Sequence, residues 1–207
     1  MSRIGVLVSG RGSNLQALID AQAAGQLGGT IVVVISNHAG VLALERAAQA
    51  GIPTVVLERQ AFASRQAQHL AIAETLSAYG VDLVVLAGFD RILHPEVVRR
   101  FQHRILNIHP SLLPAFAGSL HAQADALAYG VKITGCTVHL VTEEVDAGPI
   151  VLQAAVPVFD DDTVERLSER ILAEEHRILP EAVRLLAEGR LRLEGRRVRI
   201  DRSATPA

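Results

Sequence analysis

Short apolar runs alternate with longer segments of helical periodicity through the first half of the chain. The runs are rich in Val, Ile and Leu, which is typical of strands covered on both faces. The segments between them repeat apolar residues three and four positions apart, as in a helix with one buried face. The predicted strands are 4–8, 30–36, 54–57, 81–87 and one beginning at Ile105, and the predicted helices begin near Leu15, Leu42, Ser64 and Pro95. This alternation predicts an α/β fold: a Rossmann-like, doubly wound, mostly parallel sheet with helices on both faces.

The pattern changes after about residue 114. The predicted elements there are a helix at 122–129, strands at 133–141 and 150–157 joined by the polar connection 142–149, a long helix ending at Gly189, and a hairpin at 191–200. The long helix opens at Asp162 to Glu165, a pattern that resembles a capping box, and Pro180 interrupts its periodicity. We therefore expect a C-terminal antiparallel extension of the sheet.

Three unusual segments follow predicted strands directly: 10–14, 89–93 and 107–114. In a doubly wound sheet, ligands bind outside the carboxyl ends of the strands. These segments are therefore candidates for one shared site.

The first of them, Ser9 to Asn14, is rich in Gly and Ser and leads into a helix. Small residues let backbone N–H groups approach an anion, and the helix dipole favours negative charge. The segment is neither G-x-G-x-x-G nor a P-loop, which weighs against a dinucleotide or a nucleoside triphosphate and favours a single phosphate. The alternative is a tight turn in which Ser13 or Asn14 is the helix N-cap. Spacing alone leaves both interpretations open.

The third segment places an amide and an imidazole on alternate residues, Asn107 and His109. Residues two apart on a strand share a face, and Pro110 limits His109 to extended backbone. An amide donor beside a titratable ring suits acyl transfer, although a lone histidine among apolar residues is more often structural. Asp146 either forms a turn or, if it lies close to His109, orients the ring and favours its protonated form.

The remaining chemical residues carry weaker signals. His139 lies on a predicted strand, where it is a core histidine or at most a supporting one. The other histidines lack metal-ligand spacing, and no Ser occupies a nucleophile elbow. We expect Cys136 to be buried and inert, and we expect no metal site.

Composition excludes several classes of function. The chain of 207 residues is 49% hydrophobic and 20% charged with a net charge of −2, as in an ordinary soluble globular protein. This balance gives no general reason to expect a polyanionic partner, so we expect no nucleic acid. The single Cys excludes an internal disulfide. We find no signal peptide and no apolar run long enough to cross a bilayer, and expect a cytoplasmic protein with no membrane partner.

Four motifs together resemble the phosphoribosylglycinamide formyltransferases, the folate-dependent glycinamide ribonucleotide transformylases of purine synthesis. The motifs are Ser9 to Ala17, Ala87 to Leu93, Asn107 to Pro114, and 135–139 taken with 145–149. The Asn-x-His-Pro-Ser-Leu-Leu-Pro motif with a downstream Asp is common to formyltransferases that use 10-formyltetrahydrofolate. The Ser-Gly-x-Gly-Ser-Asn start narrows the resemblance to the phosphoribosylglycinamide formyltransferases. The resemblance covers the chain from Ile4 to about Leu191.

The resemblance implies that 10-formyltetrahydrofolate, as co-substrate, donates its formyl group to the amine of glycinamide ribonucleotide, without a metal. Asn107 would donate a hydrogen bond to the formyl oxygen as charge develops there. His109, held cationic by Asp146, would stabilise that charge and take part in proton transfer. His139 would support this catalytic set.

The resemblance also implies the binding residues. Gly12, Ser13 and Asn14 would hold the phosphate, and Glu175 would bind the ribose. The folate residues would be Arg65, Phe89, Arg91, Ile92, Leu93, Asn107, Val145 and Asp146. We expect a single formyltransferase domain at 1–200, with a phosphate-binding half at about 1–105 and a folate and catalytic half at about 106–200. The tail at 201–207 would be frayed, and the protein a monomer or a homodimer.

The chain departs from the resemblance at a few positions beside the predicted ligands. Asp90 stands where many relatives carry Met, and Ala117 replaces a frequent Pro or Lys. A one-residue insertion falls at Ser119-Leu120. Leu172 occupies a position where relatives often have Lys or Gln near the phosphate, so Arg170 or Arg11 would have to compensate. Leu179 replaces an aromatic residue. None of these changes removes a catalytic residue.

Two other functions compete with this interpretation. One is another enzyme that uses 10-formyltetrahydrofolate. Formyltetrahydrofolate hydrolase carries an extra N-terminal domain, and methionyl-tRNA formyltransferase carries an extra C-terminal domain. The other is a non-catalytic binding protein on the same scaffold. A binding protein has no need of Asn107, His109 and Asp146 together.

Overall fold

A computed structural model describes residues 1–201, which form a nine-stranded sheet with six α-helices. The strands are β1 (Ser2–Val8), β2 (Gly29–Ser36), β3 (Thr54–Val56), β4 (Leu83–Leu86), β5 (Ile105–His109), β6 (Ile133–Leu140), β7 (Ile150–Pro157), β8 (Leu191–Glu194) and β9 (Arg197–Ile200). The helices are α1 (Ser13–Ala23), α2 (Leu42–Gln49), α3 (Arg65–Ala78), α4 (Pro95–Arg100), α5 (Ala122–Tyr129) and α6 (Val164–Ala187). The strand order is β3-β2-β1-β4-β5-β6-β7-β9-β8.

The first five strands are parallel, as the alternation of strands and helices predicts. Their side chains point alternately into two hydrophobic cores, one on each face of the sheet. On β1, Val6 contributes to the core under α1, α2 and α6, whereas Leu7 contributes to the core under α3 and α4. The expected doubly wound fold with helices on both faces is confirmed.

The sheet reverses direction at β5. Strand β6 runs antiparallel to β5 and pairs Asn107 with His139, and β7 runs antiparallel to β6. The terminal hairpin β8-β9 extends the sheet, with β9 parallel to β7 through the pair Ile150 and Arg197. The expected C-terminal antiparallel extension is therefore present, although its hairpin joins in a parallel sense. Cys136 on β6 is buried as predicted, and burial raises the pKa of its thiol to about 12.

The long helix predicted to run past Pro180 is confirmed. Helix α6 continues through Pro180 to Ala187, although a proline inside a helix costs about 3 kcal/mol. The apolar side chains of α6 explain the continuity, because they are buried against the sheet on both sides of Pro180, at Ile171, Ile178 and Val183 among others. Tertiary packing outweighs the local preference here.

The start of α6 lies one residue later than the capping pattern predicts. The N-cap is Thr163, whose hydroxyl accepts the N–H of Arg166 at 3.3 Å. Asp162 instead accepts two hydrogen bonds from Arg170, both at 2.8 Å. Asp162 is therefore an anchor for the α6 side chain of Arg170 rather than the cap.

Most of the predicted tail, 202–207, lies outside the described residues. Asp201 donates its N–H to the carbonyl of Arg190 at 2.9 Å. Across 1–201, none of the helices has the length and apolar character needed to cross a membrane.

Candidate active site

Strand β5 places Asn107 and His109 on one face of the sheet at its carboxyl end. Ile108, between them, points to the opposite face, where it is buried in the core under α1 and α6. Asn107 is half-buried, and His109 is only 6% exposed. The alternation predicted from the sequence therefore brings the amide and the imidazole to the same side.

His139 supports Asn107 from the neighbouring strand. The antiparallel pairing of β5 and β6 sets the two residues opposite each other, with 3.1 Å between Asn107 Nδ2 and His139 Nε2. His139 Nδ1 lies 3.1 Å from the carbonyl oxygen of Leu140, which can only accept. Nδ1 therefore donates to that oxygen, and Nε2 lies within reach of both the Asn107 amide and Asp146 Oδ1. His139 is both buried in the core and hydrogen-bonded to Asn107.

The connection between β6 and β7 brings Asp146 to both histidines. Its Oδ2 lies 3.3 Å from His109 Nδ1, and its Oδ1 lies 3.4 Å from His139 Nε2. Asp146 has a positive φ of 49°, a conformation that Asp tolerates better than most residues. Gly148 is required nearby, because a Cβ there would lie 1.7 Å from the carbonyl oxygen of Leu140. The polar connection thus folds back tightly against β6.

The segment after β5 lies directly over this cluster. The carbonyl oxygen of Phe116 is 3.1 Å from His109 Nε2, and the N–H of Gly118 donates to Asp146 Oδ2 at 2.8 Å. Phe116 has a φ of 56°, which is strained for a residue with a side chain. Two backbone groups of this segment therefore contact the predicted catalytic residues, a feature that the sequence does not indicate.

Burial and hydrogen bonds act in opposite directions on the protonation of His109 and Asp146. Burial lowers the pKa of His109, and the Asp146 carboxylate and the Phe116 carbonyl oppose that effect without reversing it. Burial alone would raise the pKa of Asp146, but hydrogen bonds from His139 and Gly118 and the charge of His109 lower it overall. Both ring nitrogens of His109 face acceptor oxygens, Nε2 that of Phe116 and Nδ1 that of Asp146. These contacts favour the protonated ring and oppose burial, and the cationic state of His109 stays a prediction.

The Gly-rich segment carries a helix start without a side-chain cap. Gly12 is the N-cap of α1 with φ 71° and ψ 29°, and among the described residues no side chain caps it. The interpretation of Ser13 or Asn14 as the N-cap is wrong, because they are the first two residues of the helix itself. The first N–H groups of α1 are therefore left without a capping side chain among the described residues, as an anion site requires.

Asn14 points inward and joins this segment to α6. Its Nδ2 donates to Glu175 Oε2 at 2.8 Å, and the two side chains are 8% and 5% exposed. Burial raises the pKa of Glu175 to about 7, although the Asn14 hydrogen bond acts in the opposite direction. Asn14 Oδ1 is buried without a partner among the described residues. Two residues predicted to bind the same substrate therefore meet across the fold.

An open pocket of about 460 Å³ begins beside Ser13. It is lined by Ser13, Gln16, Ala17, Asp20, Arg46 and His176. Arg46 donates from Nε to the carbonyl of Arg11 at 3.0 Å and from Nη1 to Gln16 at 3.1 Å. Arg170, by contrast, pairs with Asp162 and stacks over the ring of Phe159. Arg46 is the cation beside this loop that sequence reasoning missed.

The predicted folate residues differ in their exposure. In the segment after β4, Phe89 and Leu93 pack on the core, whereas Ile92 is 55% exposed. Arg65 donates from Nη2 to the carbonyl of Ile92. Val145, beside Asp146, is 42% exposed. Apolar side chains therefore remain available to a ligand at this edge of the site.

Asp90 ties three strand ends together, a role that sequence reasoning did not assign. Its carboxylate accepts from Asn37 Nδ2 at 2.7 Å and from Ser9 Oγ at 3.0 Å, and it lies 3.0 Å from His38 Nε2. Partial burial would raise the pKa of Asp90, but these hydrogen bonds and the nearby Arg91 lower it overall. The sequence does contain a signal for this role, because Ser9, Asn37 and Asp90 each follow a predicted parallel strand.

The geometry defines a class of protein: an enzyme on a doubly wound sheet whose amide, imidazole and carboxylate groups suit acyl transfer. Comparison with known proteins gives the family. The chain belongs to the formyl transferase family, whose sequence pattern matches residues 2–183.

Individual relatives agree with this assignment. Phosphoribosylglycinamide formyltransferase of Escherichia coli is 45% identical, over 97% of this chain and 94% of that protein. The crystal structure of glycinamide ribonucleotide transformylase 1 from Symbiobacterium toebii is 60% identical with a TM-score of 0.95, covering 97% of this chain and 94% of that one. The bovine trifunctional purine biosynthetic protein adenosine-3 is 52% identical over 93% of this chain. The match takes up only 19% of that relative, so the chain spans about a fifth of its length.

A solved structure with another activity is also similar. A formyltetrahydrofolate deformylase from Pseudomonas syringae has a TM-score of 0.89 at 28% identity, covering 96% of this chain and 65% of that one. Its lower identity favours the transferase over the hydrolase alternative.

Proposed function

We propose that this chain transfers the formyl group of 10-formyltetrahydrofolate to the amine of glycinamide ribonucleotide, in the de novo synthesis of purines. The products are formylglycinamide ribonucleotide and tetrahydrofolate. The observation that carries the proposal is the cluster of Asn107, His109 and Asp146 in a chain of the formyl transferase family that also has an uncapped helix start at Gly12.

The reaction begins when the substrate amine attacks the formyl carbon. A C–N bond forms and the formyl oxygen gains negative charge. The Asn107 amide donates a hydrogen bond to that oxygen while its other contact, with His139, fixes its orientation. Such a preorganised donor lowers the barrier without reorganisation during the reaction.

A proton must then move from the attacking amine to N10 of the folate, where the old C–N bond breaks. Asp146 takes up the amine proton through a bound water, while protonated His109 stabilises the charge on the formyl oxygen. The same proton passes to the leaving nitrogen, with a water held by Asp146 as the connecting group. His109 must exchange its contact with the Phe116 carbonyl for the substrate.

The two substrates occupy opposite sides of the cluster. Gly12, Ser13 and Asn14 hold the phosphate at the start of α1, and Glu175 accepts hydrogen bonds from the ribose. The pterin lies against Arg91, Ile92 and Leu93 and beside Val145, with Arg65 and Phe89 supporting it. Both halves of the predicted domain, 1–105 and 106–200, then contribute to both ligands. We expect the protein to act in the cytoplasm as a monomer or a homodimer.

One assay separates this function from its alternatives. We expect purified protein to release tetrahydrofolate from 10-formyltetrahydrofolate only when glycinamide ribonucleotide is present. Release with water alone would identify a hydrolase. Absence of release under either condition would identify a binding protein and contradict the proposal.

A further inference from the structure

His69 is a fully buried histidine outside the site described above. It lies on α3 with 0% exposure. Its Nδ1 is 2.9 Å from the backbone nitrogen of His94, and its Nε2 has no partner among the described residues. A buried polar side chain with this geometry needs a physical reason.

The hydrogen bond fixes the protonation state of the ring. A backbone N–H can only donate, so His69 Nδ1 must be unprotonated and the proton of the neutral ring lies on Nε2. Burial, together with the nearby charges of Arg65, His94 and Arg91, lowers the pKa of His69 to about 4. The ring is therefore a neutral acceptor at any pH near 7.

The acceptor lies immediately after the predicted folate segment. Helix α3 contacts the chain on both sides of the buried Leu93: Arg65 donates to the carbonyl of Ile92, and His69 accepts the N–H of His94. The helix is itself fixed at this end, because Gln68 Nε2 donates to the carbonyl of Leu57 at 2.7 Å. One turn of α3 thus determines where the backbone of 92–94 lies.

We infer that His69 is a positioning residue that holds the folate segment, 89–93, in its binding conformation through its Nδ1. This inference rests on the proposed function, since it takes 89–93 as part of the folate site. His69 does not reach the reacting groups, so it acts through the backbone that it binds.

The test compares a substitution that removes the acceptor with one that retains it. His69→Leu leaves the His94 N–H buried without an acceptor, whereas the Oδ1 of His69→Asn can occupy the position of Nδ1. We expect His69→Leu to raise the KM for 10-formyltetrahydrofolate about tenfold, with kcat and the KM for glycinamide ribonucleotide changed less than about twofold. His69→Asn should restore the folate KM to within about threefold of the original value. His103→Leu, which changes a histidine outside α3, is the matched control and should change none of these values.

Two results would overturn the inference. One is an unchanged folate KM in folded His69→Leu; the other is a loss in His69→Asn as large as in His69→Leu. If His69→Leu does not fold, the imidazole ¹⁵N spectrum of the original protein decides: Nδ1 must be unprotonated at pH 7, and a proton there excludes the acceptor role.

A failure of the proposed function would be seen separately. In that case the original protein would not release tetrahydrofolate with glycinamide ribonucleotide, whatever the His69 variants do. Calorimetric titration of the same variants with tetrahydrofolate would still measure the effect of His69 on folate binding, and equal affinities in all three proteins would contradict the inference.

Discussion

Asn107 and His109 come from one strand, whereas Asp146 comes from a connection 37 residues beyond His109 in the chain. The strand period alone places the first two on one face. The third reaches them only because β6 and β7 turn the chain back beside β5. Residue chemistry therefore identifies candidates, and the tertiary fold decides which of them meet.

The first residue-scale prediction concerns catalysis. Asn107→Ala removes the donor to the developing oxyanion, and Asp146→Asn removes the charge that stabilises protonated His109. We expect each to lower kcat by a factor of about 10² to 10³ with little change in folate affinity, as for contacts made in the transition state. Steady-state kinetics and calorimetric folate binding measure the two effects. Asp161→Asn, a surface substitution at the start of α6, is the control; near-normal rates in both site variants would contradict the assigned roles.

The second residue-scale prediction concerns the effect of Glu175 on the pH dependence of stability. Its folded pKa of about 7 lies above the ordinary 4.5, so the folded chain binds more protons than the unfolded chain between these values. The stability contributed by Glu175 is present below about pH 4.5 and is lost as the pH rises through 7. Glu175→Gln should therefore gain stability relative to the original protein between pH 5 and 8, by at most about 3 kcal/mol. Urea unfolding at several pH values tests this, with Glu174→Gln on the same helix as the control. A difference that stays constant with pH would show that Glu175 is not shifted.

At the scale of elements, the start of α1 depends on Gly12 and not on Gly10. Gly12 has a left-handed backbone, and a Cβ there would lie 2.6 Å from the Cβ of Ala43. A Cβ at Gly10 would meet nothing within 4 Å. The uncapped N–H groups of the predicted phosphate site are therefore held by a close approach of α1 to α2.

This contrast gives a matched pair of variants. Gly12→Ala should destabilise the protein by at least about 2 kcal/mol, since it combines backbone strain with a steric clash, and should raise the KM for glycinamide ribonucleotide. Gly10→Ala should change stability by less than about 1 kcal/mol. Thermal unfolding and steady-state kinetics measure both, and equal effects of the two substitutions would show that the conformation of Gly12 is not what forms the site.

At the scale of the whole molecule, the sequence predicts the parallel half well, because buried strands and amphipathic helices alternate with clear periods. It predicts the reversal at β5 less directly, and it gives no sign of the Asn14–Glu175 hydrogen bond, whose partners are 161 residues apart. Each of these depends on packing between distant segments, which local propensity does not contain.

The Asn14–Glu175 bond and the packing of α6 on α1 join the first half of the chain to the last long helix. We therefore expect 1–200 to unfold as one cooperative unit. Circular dichroism and the fluorescence of Tyr79 and Tyr129 should report the same urea midpoint. Two separated midpoints would instead indicate two folding units.

The strand order has a further consequence, for colloidal behaviour. The two outermost strands are β3, with three residues, and β8, with four residues that include Arg192 and Glu194. Short or charged edge strands present few unpaired backbone groups to another chain and oppose strand addition. The apolar strand β1 lies inside the sheet with both edges paired, whereas β2 pairs with β3 over three residues and β7 with β9 at Ile150. The two outermost strands therefore oppose edge-to-edge aggregation by being short or charged.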